Sequence, residues 1–305
     1  MSIIFKKLIF IILLLALSID NFGQCTVNTN ITNDVMLSSS SGGTDNRSAL
    51  AYNPVDDLYY SVNAGSGSYP LDVYDGTGLL ISSNASNDDW RGLFWDNNTV
   101  MAFGNEIGGG QVTKIDIDAN GLPIGSSSMF NLNPVPANSQ ACASFDSDLN
   151  EIIIWNGSNP VVFYDGSTGM QTRTLTLSIP VTTPISNINS TSIVYGECIG
   201  AELGLYDYVS GEVLWFDKNS GDFDVSTSLG AVYPGTDRFN FAYSNNLVWI
   251  YDRNANQWIS HNVFENMPAA VPTLGQWGMI ILSLLLLIFA VNYLREGASS
   301  KIKLA

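Results

Sequence analysis

The stretch from Ser48 to Asn84 reads SALAYNPVDDLYYSVNAGSGSYPLDVYDGTGLLISSN. It contains four short runs of Ala, Leu, Tyr, Val and Ile, which are separated by clusters of Gly, Asn, Asp and Ser. Apolar runs of this length with turn residues between them are typical of short antiparallel strands. The stretch therefore predicts one small four-stranded sheet.

The same pattern returns along the chain. An aromatic or aliphatic residue followed by Asp and a turn recurs at Asp75, Asp118, Asp165, Asp217 and Asp252. The aspartates step by 43, 47, 52 and 35 residues, which is close to the period of a β-propeller blade. A second signal, an apolar residue that closes a strand before a polar turn, keeps the same phase. It occurs at Tyr52, Trp95, Phe145 and Tyr243.

The repeats predict an all-β fold, because no helical periodicity occurs outside the two termini. Five units fit between Ser48 and Phe264, and the last supplies only two clear strands. We expect the segment Thr26–Leu37 to complete that fifth blade and close the ring, with Ser38–Thr44 as a flexible connector. One or two β-sandwiches are the alternative, although a sandwich does not need turns that recur at one period.

The C-terminal segment predicts a membrane anchor. It begins with VPTLGQWG (Val271–Gly278), continues as an apolar run and ends with Arg295, Lys301 and Lys303. A helix over Trp277–Leu294 would be about 27 Å long at about 1.5 Å per residue, enough to span a bilayer. The cations after the run place the C-terminus in the cytoplasm and the rest of the chain outside.

This ending resembles the IPTL-CTERM protein sorting domain of Gram-negative bacteria. Its signature is matched by Pro272, Thr273, Leu274, Trp277 and Gly278, and Val271 conservatively replaces the isoleucine. The resemblance implies that a membrane-embedded sorting protease of the exosortase type processes the chain and passes the ectodomain to the cell surface. An ordinary C-terminal anchor with Trp277 at the outer membrane interface is the alternative.

The N-terminus has the pattern of a secretory signal peptide. Lys6 and Lys7 precede the apolar stretch Leu8–Leu17, and we expect cleavage after Gly23. This gives a signal peptide over 1–23, an ectodomain over 24–264, a linker over 265–270 and the sorting signal over 271–305. A lipidated Cys25 is an alternative means of anchoring.

Composition excludes some classes of partner. The formal net charge of −16 argues against nucleic acid and against docking on anionic lipid, both of which need Lys and Arg. The three cysteines, Cys25, Cys142 and Cys198, are too few for a disulfide scaffold. One disulfide is expected; spacing does not say which, and Cys142–Cys198 is the pair we favour.

Catalytic chemistry has little support in the sequence. The one histidine, His261, is near the end of the predicted ectodomain, where we expect a solvated or capping residue. Carboxylates that are suitable by type for glycoside hydrolysis occur at Asp56, Asp57, Asp88, Asp89, Glu151 and Glu202, but turn chemistry explains most of these aspartates. No catalytic residue is therefore assigned.

A weak calcium motif is the one metal candidate. Asp116, Asp118 and Asn120 place oxygen ligands at alternate positions before Gly121, as in the first half of a calcium loop. The twelfth position is Ser127 rather than the bidentate glutamate. Weaker copies begin at Asp146 and Asp217. Ordinary hairpin turns are the alternative.

Recognition is the leading functional class. Propellers present loops around a central opening, where aromatic side chains can stack on sugars or peptides. The candidates are Trp90, Trp95, Trp155, Trp215 and Trp258, although any one of them is more often a core residue. The sequence thus predicts a surface-displayed, non-catalytic binding or adhesion module for a glycan or protein. A surface glycan-processing enzyme and a structural envelope protein are the alternatives.

Overall fold

The computed structural model describes residues 26–28, 31–39, 46–96, 98–104 and 109–265. They belong to one compact unit, Cys25–Glu265. The predicted signal peptide, linker residues 266–270, the sorting motif and the predicted membrane helix lie outside the described residues. Within the described ranges, no helix is long and apolar enough to cross a membrane.

The described part of the chain forms twenty short strands and a single 3-10 turn at Ile185–Asn187, without an α-helix. In chain order the strands are β1 (Met36–Ser38), β2 (Arg47–Asn53), β3 (Leu58–Asn63), β4 (Pro70–Asp75), β5 (Leu80–Ala85), β6 (Trp90–Asp96), β7 (Thr99–Gly104), β8 (Gln111–Ile117), β9 (Pro123–Asn131), β10 (Ala143–Asp146), β11 (Glu151–Ile154), β12 (Val161–Asp165), β13 (Gln171–Leu175), β14 (Val194–Tyr195), β15 (Leu203–Asp207), β16 (Glu212–Phe216), β17 (Phe223–Ser228), β18 (Phe241–Ser244), β19 (Leu247–Asp252) and β20 (Gln257–His261).

The strands form five four-stranded antiparallel sheets, which we call blades 1 to 5. Blades 1 to 4 take their strands in chain order, as β2–β5, β6–β9, β10–β13 and β14–β17, and blade 5 has the order β18, β19, β20, β1. The first strand of each blade contacts the first strands of both neighbouring blades, so these strands surround the centre of a closed ring. The predicted five-bladed β-propeller is confirmed, and the β-sandwich alternative is wrong.

The hydrophobic core has five large clusters, each between two adjacent blades, and a small sixth cluster of Ala64, Cys142 and Phe239. The inner strands are therefore covered on both faces, and β3 is buried at every position. The fourth strands face solvent, and β9 is exposed at most positions. This gradient explains the sequence, because strands covered on both faces are nearly continuous apolar runs while outer strands tolerate Ser and Asn.

The N-terminal segment closes the ring. Leu37 of β1 lies opposite Trp258 of β20, and Val27 forms an isolated bridge with Phe264. The N-terminal strand was predicted to complete blade 5, and this is confirmed. Ser38, which the sequence placed in the connector, belongs to the strand. Blade 5 also receives three C-terminal strands rather than the two that the sequence made clear, because β18 is only four residues long.

The repeated aspartates shape turns. Asp75, Asp118, Asp165 and Asp217 end the third strands of blades 1 to 4 or follow them directly, and the carboxylate of each accepts a backbone N–H two residues further on. Asp252 makes the same bond but follows the second strand of blade 5. Its shorter step of 35 residues arises because Asp252 lies one strand earlier in its blade than the other four aspartates do.

Candidate functional site

A cavity of about 420 Å³ lies at the centre of the propeller. All five blades contribute to its wall through their first strands and the turns that follow them. Concave sites at such a meeting point are where propellers and other repeat folds most readily take ligands. The cavity is therefore the candidate site.

Five aromatic residues, one near the end of the first strand of each blade, line this cavity in addition to Phe94 and Phe241. The five, which we call the aromatic collar, are Tyr52, Trp95, Phe145, Tyr195 and Tyr243. Each is the last or next-to-last residue of the first strand of its blade. The ring symmetry therefore brings together side chains that are about 50 residues apart in sequence.

Neighbouring rings hold the collar in place. The Tyr52 ring centroid is 4.8 Å from that of Tyr59, and Phe145 stacks on Phe94 at 4.6 Å. Tyr243 meets Phe264 edge to face at 6.4 Å. Packing of this kind restricts rotamers, so these three collar rings are held in place before any ligand arrives.

Two collar hydroxyls are also fixed by charged groups. Tyr52 donates to an Asp57 carboxylate oxygen at 2.8 Å, and burial together with this carboxylate raises the pKa of Tyr52 to about 12. Tyr195 accepts a hydrogen bond of 2.9 Å from Lys218 Nζ, while burial raises the pKa of Tyr195 to about 12. Both hydroxyls are therefore protonated at neutral pH.

The charge at the cavity is negative. Among the described residues, the charged groups that line it are Asp96 and Glu197. Burial raises the pKa of the Asp96 carboxyl. Lys218 lies behind Tyr195, and its Nζ is 2.7 Å from a buried Asp146 oxygen, so this cation is neutralised by its own partner.

Two further wall residues have distinct chemistry. Ser244 is 9% exposed, and its Oγ has no hydrogen-bond partner within the described part of the chain. Cys142 is a buried free cysteine, and burial raises the pKa of its thiol to about 11. A thiol of that pKa is inert at neutral pH.

The predicted Cys142–Cys198 pairing is wrong. Cys142 is free, whereas Cys198 is disulfide-bonded. Cys142 sits in the first strand region of blade 3, packed with Ala64 and Phe239, which explains why it is enclosed by apolar groups instead of facing Cys198. Cys25 lies outside the described residues.

The tryptophan candidates divide clearly. Trp90, Trp155, Trp215 and Trp258 are at most 2% exposed and belong to the clusters between blades. Trp95 alone of the five lines the cavity. Four of the five are therefore core residues, because the large indole ring fills the space between adjacent blades.

The carboxylates proposed for hydrolysis do not line the cavity. Asp89 pairs with Arg91 at 2.7 Å, and Glu151 pairs with Arg173 at 2.9 Å. Glu202 accepts the Lys218 backbone N–H. Through these contacts Asp89, Glu151 and Glu202 stabilise blades and turns.

His261 is a core residue, so the expectation of a solvated or capping histidine is wrong. It lies in β20 at 1% exposure, with Nε2 3.2 Å from the Tyr233 hydroxyl oxygen. Burial lowers its pKa to about 4. It does not line the cavity, since it sits in the third strand of its blade.

The calcium motif spans a strand end and a turn. Asp116 belongs to β8 and pairs with Lys114 at 3.4 Å, while Asp118 accepts the N–H groups of Leu122 and Asn120, which lower the pKa of its carboxyl. No group of three or more His, Cys, Asp and Glu side chains suited to a metal ion occurs in the described residues. Calcium binding at Asp116, Asp118 and Asn120 stays a prediction.

Sequence reasoning missed one member of the collar, Tyr195. Its strand, β14, has only two residues and is followed by a long turn, so no strand pattern marks it. The spacing between repeats does mark Tyr195, because it is 50 residues after Phe145 and 48 before Tyr243. The repeat period is thus a better guide to the collar positions than the local strand pattern.

Comparison with known proteins supports both the C-terminal sorting motif and the propeller fold. Residues 269–295 match the IPTL-CTERM motif. No curated protein sequence matches the chain. The glutaminyl cyclase of Myxococcus xanthus has a similar structure, with a TM-score of 0.51 and 9% identity over 77% of this chain and 96% of that one. At such low identity the likeness concerns the fold alone.

Two further structures are more distant. A Bacteroides thetaiotaomicron protein of unknown function has a TM-score of 0.47 at 8% identity, over 79% of this chain and 77% of that one. The Neurospora crassa Pan2 WD40 domain has a TM-score of 0.37 at 16% identity, over 72% and 61%. Both scores are too low to carry an argument.

The fold and the motif together define a class of protein: a five-bladed β-propeller of the cell envelope or cell surface with a C-terminal sorting signal. The signal implies processing by an exosortase-like system.

Proposed function

We propose that the chain is an exported, non-catalytic binding module whose central cavity takes a ligand group at the cell surface. The aromatic collar carries this proposal. Five rings converge on one concave space, and packing fixes several of them in advance. Rigid aromatic side chains give large contact areas at low entropic cost, which is what a binding site needs.

Display at the surface follows from the two ends of the chain. The predicted signal peptide would direct the ectodomain out of the cytoplasm, and the predicted C-terminal helix would hold the precursor in the inner membrane. An exosortase-like protease then acts near Val271–Gly278 and releases the ectodomain toward the surface. The acidic composition keeps such a domain soluble and away from anionic lipid.

Binding without catalysis is supported by the state of the candidate catalytic groups. Of the carboxylates outside the cavity, Glu151 is held in an ion pair and Asp118 in a turn. His261 is enclosed in blade 5 and carries a pKa of about 4. The cavity wall itself offers rings, hydroxyls and two carboxylates.

A ligand array tests the proposal. The full chain, purified in a sugar-free non-ionic detergent, is applied to glycans and peptides, beside Trp95→Ala and the control Phe223→Ala on the exposed outer strand β17. We expect binding that Trp95→Ala weakens about tenfold or more and Phe223→Ala leaves intact. Conversion of an arrayed glycan or peptide into a product would contradict the proposal. Equal binding by the two variants would contradict it as well.

A further inference from the structure

The cavity wall combines aromatic rings with acidic side chains, and both of these groups attract cations. Its wall presents the aromatic collar, and its charged members are Asp96 and Glu197, both acidic. No Lys or Arg of the described residues lines it. The face of an aromatic ring is electronegative, so rings and carboxylates attract the same charge.

The collar already holds one cation of the chain itself. Lys218 Nζ lies 5.0 Å from the centroid of the Tyr195 ring and donates to its hydroxyl. Tyr195 is buried, whereas the other four collar rings are partly exposed. Four rings are therefore available to a group that enters from solvent.

From this arrangement we infer that the cavity binds a quaternary ammonium group, with the collar rings around its methyl groups and Asp96 and Glu197 as counter-charges. This rests on the proposed function, because it names the ligand chemistry of the same site. A quaternary ammonium has no N–H donors and is weakly hydrated, so an aromatic cage replaces its water at little cost. A volume of about 420 Å³ is ample for such a group and its substituent.

Ser244 supplies the polar contact that the substituent needs. Its Oγ is buried in the cavity wall without a partner among the described residues. A buried hydroxyl without a hydrogen bond is unfavourable, and since solvent does not reach this Oγ in the structure, a hydroxyl or carbonyl oxygen on the ligand would satisfy it after a rotation of the Ser244 side chain. A ligand with a hydroxyl a few atoms from the cation, such as choline, offers both features.

The test uses two probes of the same shape. Choline and its neutral isostere 3,3-dimethyl-1-butanol are titrated into the full chain by calorimetry, in the same non-ionic detergent. We expect choline to bind about tenfold or more tightly than the isostere, since the charge contributes the cation–π attraction. Equal affinity, or no binding of choline at millimolar concentration, would overturn the inference. Tighter binding of N-acetyl-lysine amide than of choline would overturn it as well.

Matched variants localise the effect. Trp95→Ala is expected to lower choline affinity about tenfold, and Trp95→Phe, which keeps a ring, to lower it less. Asp96→Asn and Glu197→Gln should each lower it about threefold at low salt and less at high salt, whereas the exposed control Asp224→Asn should not. Unchanged choline affinity in Trp95→Ala, with the melting temperature retained, would overturn the site assignment.

The two levels of the proposal fail differently. If choline does not bind but an array ligand still depends on Trp95, the cation inference is wrong and the binding module stands. If neither choline nor any array ligand depends on Trp95, the proposed function is wrong, and the inference is wrong with it.

Discussion

His261 is a buried imidazole whose lowered pKa links pH to stability. Burial lowers its pKa from 6.5 to about 4. Above pH 6.5 the imidazole is neutral in both the folded and the unfolded chain. Between pH 6.5 and about 4 the unfolded chain binds a proton that the folded chain does not, so stability falls as pH falls.

The free energy of unfolding should therefore decrease by about 2 kcal/mol between pH 7 and pH 5 on account of this one residue. The measurement is urea unfolding at a series of pH values, with His261→Gln as the comparison. The variant should show a flatter pH dependence over this window. An identical slope in both proteins would contradict the assignment of His261 as a buried neutral imidazole.

Individual roles were predictable where local chemistry decides them. The turn aspartates follow from the ability of Asp to accept backbone N–H groups nearby, and Asp75 and Asp165 do so. The roles of His261 and Cys142 were not predictable. Their burial depends on which strands of other blades pack against them, and neither spacing nor composition contains that information.

At the level of the strand, β1 closes the ring with only three residues. Leu37 is fully buried against blade 1 and lies opposite Trp258, while Met36 beside it is 53% exposed. The segment is also tied by the backbone of Val35, which accepts from the Ser260 N–H and donates to the Ser260 hydroxyl. Closure therefore depends on a few well-placed contacts.

Leu37→Ala is expected to destabilise the propeller by about 2–5 kcal/mol, because it leaves a cavity at the seam of the ring. Met36→Ala in the same strand should change stability by less than about 0.5 kcal/mol. Thermal and denaturant unfolding of both variants supply the comparison. Equal effects, or a negligible effect of Leu37→Ala, would mean that β1 does not close the ring.

Blade number and strand order were accessible from the sequence because each blade repeats the same turn chemistry at a similar period. Blade 5 was harder, since its four strands come from both ends of the chain. Asp252 shows the consequence. It carries the local signature of the repeat, yet it lies in the turn between β19 and β20, one strand earlier than in the other blades.

At the scale of the whole molecule, the sorting motif is the feature that bears on where the protein acts. The matched motif implies C-terminal sorting, and changing Pro272 and Trp277 together to alanine should block it. We expect the wild-type ectodomain at the surface or in the medium and the variant retained in the inner-membrane fraction of the native host. Identical fractionation would indicate an ordinary anchor. A control variant, Asp224→Asn, should fractionate like the wild type.

The candidate site could be predicted from the sequence only in part. Tyr52, Trp95, Phe145 and Tyr243 were visible as a periodic signal, but as strand ends and not as one surface. Their convergence is a property of ring closure, which places the first strands of all five blades around one cavity. The acidic partners Asp96 and Glu197 carry no signal of their own in a chain so rich in acidic residues.

The claim that these five strands form one ligand site is tested most directly by a crystal structure of the chain grown with saturating choline. The predicted result is a ring of five blades with the ammonium group between Tyr52, Trp95 and Tyr243 and the hydroxyl within hydrogen-bond distance of Ser244 Oγ. Choline bound elsewhere, or a chain in which the five first strands do not enclose a common cavity, would contradict it.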